Sequence, residues 1–231
     1  MNNGLIRPAI AEFIGTFTLV FIGAAAVVVA PVFGVVVPAL AHGLILCGII
    51  FSYGHISGAH VNPAVTAGLL IGGHVKIDRA IFYWIAQFLG GIVAAIVVGL
   101  FTVSLDAHRP IGIQSFNYGQ TTGSLTASAP WTAAAFEFVL TFFLVTAVYQ
   151  AAVYGKAGNL AALAIGFTLA GSIFAGGAFT GASLNPARTL GPALIAGDFS
   201  YLVPYLVGIF GGGIFAGLLH TYILKPEAAQ S

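Results

Sequence analysis

Long apolar runs, broken at intervals by short clusters of Gly, Pro and polar residues, dominate the chain. They predict spans near Pro8–Ala30, Val36–Tyr53, Ala80–Val103, Trp131–Val153, Leu160–Ala175 and Tyr201–Leu224, each long enough to approach or cross a hydrocarbon layer of about 30 Å. Two further apolar segments are too short. They run from Asn62 to near Gly72 and from Asn185 to near Gly197, and both open on Asn-Pro-Ala. At 1.5 Å per residue, a helix of about 11 residues covers only about half the layer, so two such pieces coming from opposite sides would meet near its midplane. The run from Pro8 to Pro31 is longer than the apolar core of about 7–15 residues in a secretory signal and carries Glu12. It is predicted to be a retained first span.

The pattern repeats. At an offset of 123, the stretch AHGLILCGIIFSYGHISGAHVNPAVTAG from Ala41 falls on AIGFTLAGSIFAGGAFTGASLNPARTLG from Ala164, with about half the positions identical. Glu12, Phe13, Thr16 and Phe17 recur as Glu137, Phe138, Thr141 and Phe142, and Gly90 and Gly91 recur as Gly211 and Gly212. The expected organisation is a single domain over 1–231: a first repeat (1–103), a loop (104–130), a second repeat (131–225) and a short tail (226–231). Three spans per half is an odd number, so the second copy must enter the membrane from the opposite side. The fold class expected is an all-α membrane protein with six transmembrane helices, two re-entrant half-helices and inverted three-span repeats.

Composition supports a membrane protein. Of 231 residues, 59% are hydrophobic and only 6% charged, against roughly a quarter charged in a soluble domain. The net charge of +1 and the lack of any basic cluster argue against a nucleic-acid partner. The single cysteine, Cys47, lies in an apolar run and reads as core packing. Arg7, Lys76, Arg79, Lys156 and Lys225 fall on one side of the predicted spans and Arg109 on the other, which places both termini in the cytoplasm. No H-E-x-x-H motif, Ser–His dyad or paired catalytic carboxylate occurs, so no enzyme, cofactor or metal site is predicted.

The candidate chemistry sits at the two triplets. Asn favours the helix N-cap and Pro the first helical position, so each triplet starts a half-helix with the Asn side chain projecting beyond it. Two facing N-termini concentrate positive potential at mid-membrane, and Asn62 and Asn185 offer amide donors to a passing oxygen while cations are repelled. The stretches leading in, Gly58, Ala59, His60, Val61 and Gly181, Ala182, Ser183, Leu184, are non-helical. At membrane depth such backbone is tolerated only against protein or a water-filled cavity, so their carbonyls are expected to line a pore. Arg188 lies within the second half-helix, and an intramembrane charge usually marks function. Glu12 and Glu137, at matching places in the two halves, suit anchoring of the loops' backbone N–H groups. His55 and His60 are expected to shape the first loop, and His74, His108 and His220 to sit at interfaces.

With these residues in view, HISGAHVNPA and TGASLNPAR resemble the loops of the aquaporin, or major intrinsic protein, family, and the likeness covers nearly the whole chain. The resemblance implies a homotetramer with one pore per subunit and an outer constriction at His42, Ile173, Ala182 and Arg188. It also implies the loop-anchoring role of Glu12 and Glu137. His42 and Ile173 depart from the aromatic and His usual in strict water channels and resemble plant tonoplast intrinsic proteins. That set implies passage of water and small neutral solutes such as ammonia, hydrogen peroxide or urea. A wider opening at Ile173 and a donor or acceptor from His42 are the physical expectation. A glycerol facilitator is the alternative, although Thr189 stands where that branch usually has Asp, and Ala193 where it has a basic residue. Leu206, in place of a Trp more usual in water channels, weakens the contrast. An ion-coupled secondary transporter is the rival outside the family, suggested by the inverted repeats and buried Glu. The location expected is a multi-pass protein of a bilayer, specifically a prokaryotic plasma membrane.

Overall fold

A computed structural model describes residues 3–104 and 117–226; His108, Arg109 and the rest of 105–116, within the loop expected at 104–130, lie outside them. Among the described residues, six helices are long and apolar enough to cross a bilayer. They are α1 (Asn3–Phe33), α2 (Val36–Ser57), α4 (Ile77–Ser104), α6 (Pro130–Ala147, continued by a π turn over Val148–Val153), α7 (Ala161–Thr180) and α9 (Leu202–Tyr222). The half-helices are α3 (Pro63–Ile71) and α8 (Pro186–Ala196). A short α5 (Ser124–Ser128), which the apolar pattern does not announce, precedes α6.

Polarity is distributed inside out relative to a soluble protein. Large apolar side chains such as Leu44, Phe51, Leu100, Phe167 and Val203 are exposed, whereas Glu12, Gln87, Glu137, Thr189 and Arg188 are buried. Outward apolar faces suit lipid, and the buried polar groups must then find partners in one another or in a wet cavity. The protein is an integral, multi-pass membrane protein.

The two halves reproduce one packing scheme. α1 packs on α2 and α4 as α6 packs on α7 and α9, and α2 meets α7 between the halves. Each half-helix leans on the third span of the other half, α3 on α9 and α8 on α4. Glycines permit those approaches: a β-carbon on Gly91 would come within 2.6 Å of the Ala187 carbonyl oxygen, and one on Gly213 within 2.6 Å of that of Ala64. Gly90 and Gly212 press likewise on the backbone of Phe13 and Phe138. This corrects the expected pairing of Gly90 and Gly91 with Gly211 and Gly212. The contacts shift it by one residue, because a helix-face match is fixed by what each glycine touches rather than by a run of identical letters.

Candidate pore and its constriction

Both loop-to-helix junctions are built alike. Asn62 caps α3, its side chain accepting from Ala64 N–H at 2.8 Å, and Asn185 caps α8, accepting from Ala187 N–H at 3.0 Å and Arg188 N–H at 3.3 Å. With Pro63 and Pro186 in first position, each triplet does what its residue types favour. The amide nitrogens cross over. Asn62 Nδ2 donates to the Leu184 carbonyl at 2.8 Å, and Asn185 Nδ2 donates to the Val61 carbonyl at 2.9 Å. Each amide therefore commits one hydrogen to the opposite loop and keeps the other.

The loops that present these asparagines are strained. After Gly58 and Gly181, Ala59, Val61, Ala182 and Leu184 all hold positive φ, between 42° and 55°. Such conformations cost on the order of 1–3 kcal/mol each for a residue with a side chain and persist only where surroundings dictate them. Two buried carboxylates supply that constraint. Glu12 accepts from Ser57 Oγ at 2.6 Å, His60 N–H at 2.9 Å, Val61 N–H at 2.6 Å and Gln87 Nε2 at 2.8 Å. Glu137 accepts from Thr180 Oγ1 at 2.7 Å, Ser183 N–H at 2.9 Å and Leu184 N–H at 2.9 Å. Tyr83 and Tyr205 complete the match, donating to the carbonyls of Ser57 and Thr180.

A cavity of about 260 Å³ runs along these loops. It is lined by apolar side chains, among them Leu19, Leu46, Leu144, Ile165 and Leu169, and by Gly58, Ala59, His60, Val61, Ser183 and both asparagines, together with His42, Arg188, His74 and Val75. Ala182 and Leu184 are buried with Ile173 in an apolar cluster that also holds Leu19, Leu46, Leu144, Ile165 and Leu169 of the cavity lining. Of the four constriction residues, His42 and Arg188 are hydrogen-bonded to each other, and Ile173 and Ala182 are buried in that cluster.

Arg188 is 1% exposed, and its Nη1 and Nη2 have no hydrogen-bond partner among the described residues. Its Nε donates to His42 Nε2 at 3.2 Å, while His42 Nδ1 lies 2.7 Å from the Pro38 carbonyl. A carbonyl only accepts, so Nδ1 carries the proton and Nε2 offers its lone pair to the arginine. Both ring nitrogens are thus occupied. The expectation that His42 itself presents a donor or acceptor to what passes gives way to an indirect role, holding Arg188. Sequence could not disclose this, because the bond joins residues on α2 and α8 that only the fold brings together.

Other histidines depart from expectation. His60 does sit in the first loop, Nδ1 3.1 Å from Thr66 Oγ1, but His55 is exposed on the last turn of α2. His220, expected at an interface, is fully buried and stacked on Tyr149 with ring centroids 5.0 Å apart.

Inverted three-span repeats that bring two capped half-helices together beside a part-polar cavity define a helical membrane protein of channel type. Comparison with known proteins gives its family. The model of the family described as Major intrinsic protein matches residues 2–220. The chain is 38% identical to "Probable aquaporin TIP3-2" of Arabidopsis thaliana, over 97% of this chain and 86% of that protein. It is also 38% identical to "Aquaporin TIP2-1" of Zea mays, over 93% and 86%. In structure it is similar to the aquaglyceroporin from Plasmodium falciparum solved by X-ray crystallography, with a TM-score of 0.80 and 25% identity over 96% of this chain and 98% of that one. The chain belongs to the major intrinsic protein family.

Proposed function

We propose that the protein is a passive, proton-excluding water channel that also admits small neutral solutes such as ammonia, hydrogen peroxide or urea. The observation that carries this reading is the guanidinium of Arg188, buried beside the cavity with two nitrogens that no group among the described residues satisfies. A buried donor left so is costly unless water or another small acceptor meets it. A fixed positive charge there, with two half-helix N-termini and the free hydrogens of Asn62 and Asn185 further in, opposes cations including hydrated protons. The carbonyls of 58–61 and 181–184 would act as acceptors along the path. His42, Ile173, Ala182 and Arg188 would set the permeant size. Transport of this kind includes no chemical step and needs no cofactor, which sets the protein apart from enzymes.

The names of the plant relatives, all aquaporins, favour water as the principal permeant. A glycerol facilitator is the second reading, supported by the aquaglyceroporin among similar structures. Against it, Thr189 takes the place after the arginine and is hydrogen-bonded to Ser183 Oγ, so the carboxylate usual in that branch is missing. A homotetramer in the bilayer is part of the proposal. So are cytoplasmic termini, on the Lys and Arg bias. The plant relatives lend no support to a prokaryotic plasma membrane.

The test is stopped-flow light scattering on proteoliposomes under separate ammonia, urea and glycerol gradients. Ammonia or urea flux well above empty vesicles with glycerol flux at their level supports the reading. Fast glycerol flux would replace it with the facilitator.

A further inference from the structure

The constriction depends on a residue that does not line it. Gly23, on α1, lies directly against the imidazole of His42. A β-carbon built there would come within 2.5 Å of Cε1 and 2.6 Å of Cδ2, and nearer still to Nε2, whereas non-bonded carbons rest at about 3.5–4.0 Å. All three nearest atoms belong to that one ring. This separates Gly23 from Gly90, Gly91, Gly212 and Gly213, whose nearest neighbours include the backbone of another helix. The ring cannot step aside cheaply, because both its nitrogens are tied, Nδ1 to Pro38 and Nε2 to Arg188.

The internal repeat supplies a comparison within the molecule. By the offsets that match Glu12 with Glu137 and Ala41 with Ala164, Gly23 and His42 correspond to Val148 and Ile165. That pair lines the cavity with apolar side chains. The second half thus tolerates a branched side chain at the place where the first has none, so helix packing common to both halves does not require glycine there.

We infer that Gly23 is a positioning residue of the constriction: its missing side chain is the slot in which the His42 ring lies, and through that ring it fixes Arg188. The inference rests on the reading of His42 and Arg188 as the constriction of a water channel. With a methyl group in the slot, the ring must turn towards the lumen and release the Arg188 Nε–H, and both movements narrow the path.

The test is a mutant cycle in proteoliposomes, with water permeability normalised to reconstituted protein. Gly23→Ala is expected to lower it about tenfold, the size of one hydrogen bond to a charged group, and to change it less than about twofold in a His42→Ala background, where no ring remains to be displaced. No effect of Gly23→Ala with His42 present, or the same fall in both backgrounds, overturns the inference. If Gly23→Ala alone does not fold, folding of Gly23→Ala with His42→Ala sustains it, and failure of both variants overturns it. A wild-type protein no more permeable than bare lipid defeats the channel reading instead. The slot is then judged by ¹⁵N NMR of labelled histidine, with the His42 signal assigned by its loss in His42→Ala. Gly23→Ala must move that signal away from the position of a ring protonated at Nδ1 with Nε2 accepting; an unmoved signal overturns the inference.

Discussion

Replacing Glu12 by Gln tests whether a buried carboxylate holds the first loop. Glu12 faces four donors, two on each oxygen, and the ionised form is the one that can accept them all. An amide has one oxygen and turns two hydrogens towards donors. If its nitrogen takes the Oε2 place, Gln87 can flip to accept from it, yet Val61 N–H is stranded. If it takes the Oε1 place, the Ser57 hydroxyl can turn to accept, yet His60 N–H is stranded. Either way one backbone donor loses a bond to a charged group, worth about 1.5–3 kcal/mol. For a chain of this length that lowers the thermal midpoint by on the order of 3–12 °C. Circular dichroism on protein purified in detergent reads it, with Asp78→Asn, at an exposed carboxylate, as the control. A midpoint for Glu12→Gln that is unchanged or raised would refute the reasoning, since it would mean that the loop is not held by the carboxylate.

Glu137 is arranged in the same manner, and Glu137→Gln strands either Ser183 or Leu184 N–H; its midpoint should fall by a similar amount, about 3–12 °C in the same assay. Asn185→Asp removes the amide that donates to the Val61 carbonyl and adds negative charge at the junction of the half-helices. Proton or sodium leak should rise above wild type in dye-loaded vesicles, and an unchanged leak would show that the barrier to cations lies elsewhere. Ile173→His should narrow the solute range while water flux persists, and unchanged ammonia and peroxide permeation would remove Ile173 from the constriction.

Much of this architecture is legible in the sequence because the membrane imposes simple rules. Six apolar runs gave six spans, the helix ends moving by a few residues, as with α7, which extends to Thr180 rather than Ala175. The paired triplets marked both half-helices because Asn and Pro have strong positional preferences at helix starts. The pairing of Glu12 and Glu137 with loop N–H groups was also readable, since a buried carboxylate beside irregular backbone has few other uses. What escaped was side-chain geometry between distant segments. The crossed bonds of Asn62 and Asn185, the engagement of both His42 nitrogens and the slot at Gly23 each join residues that sequence separation leaves unrelated. The π turn at Val148–Val153 gives no signal in apolar periodicity, because both helix types are apolar all round in this setting. His220 misled for a related reason: nearness to a span end does not tell which face of a helix a ring occupies.

The central claim is that water crosses through the protein in a continuous path that hydrated protons do not share. Its most direct test is the temperature dependence of osmotic shrinkage in proteoliposomes, with internal pH followed in parallel under a proton gradient. The account predicts fast shrinkage with a low activation energy, near that of water diffusing in bulk, and proton flux no greater than in protein-free vesicles. Slow shrinkage with the high activation energy of bare lipid, or proton flux rising with water flux, would contradict it.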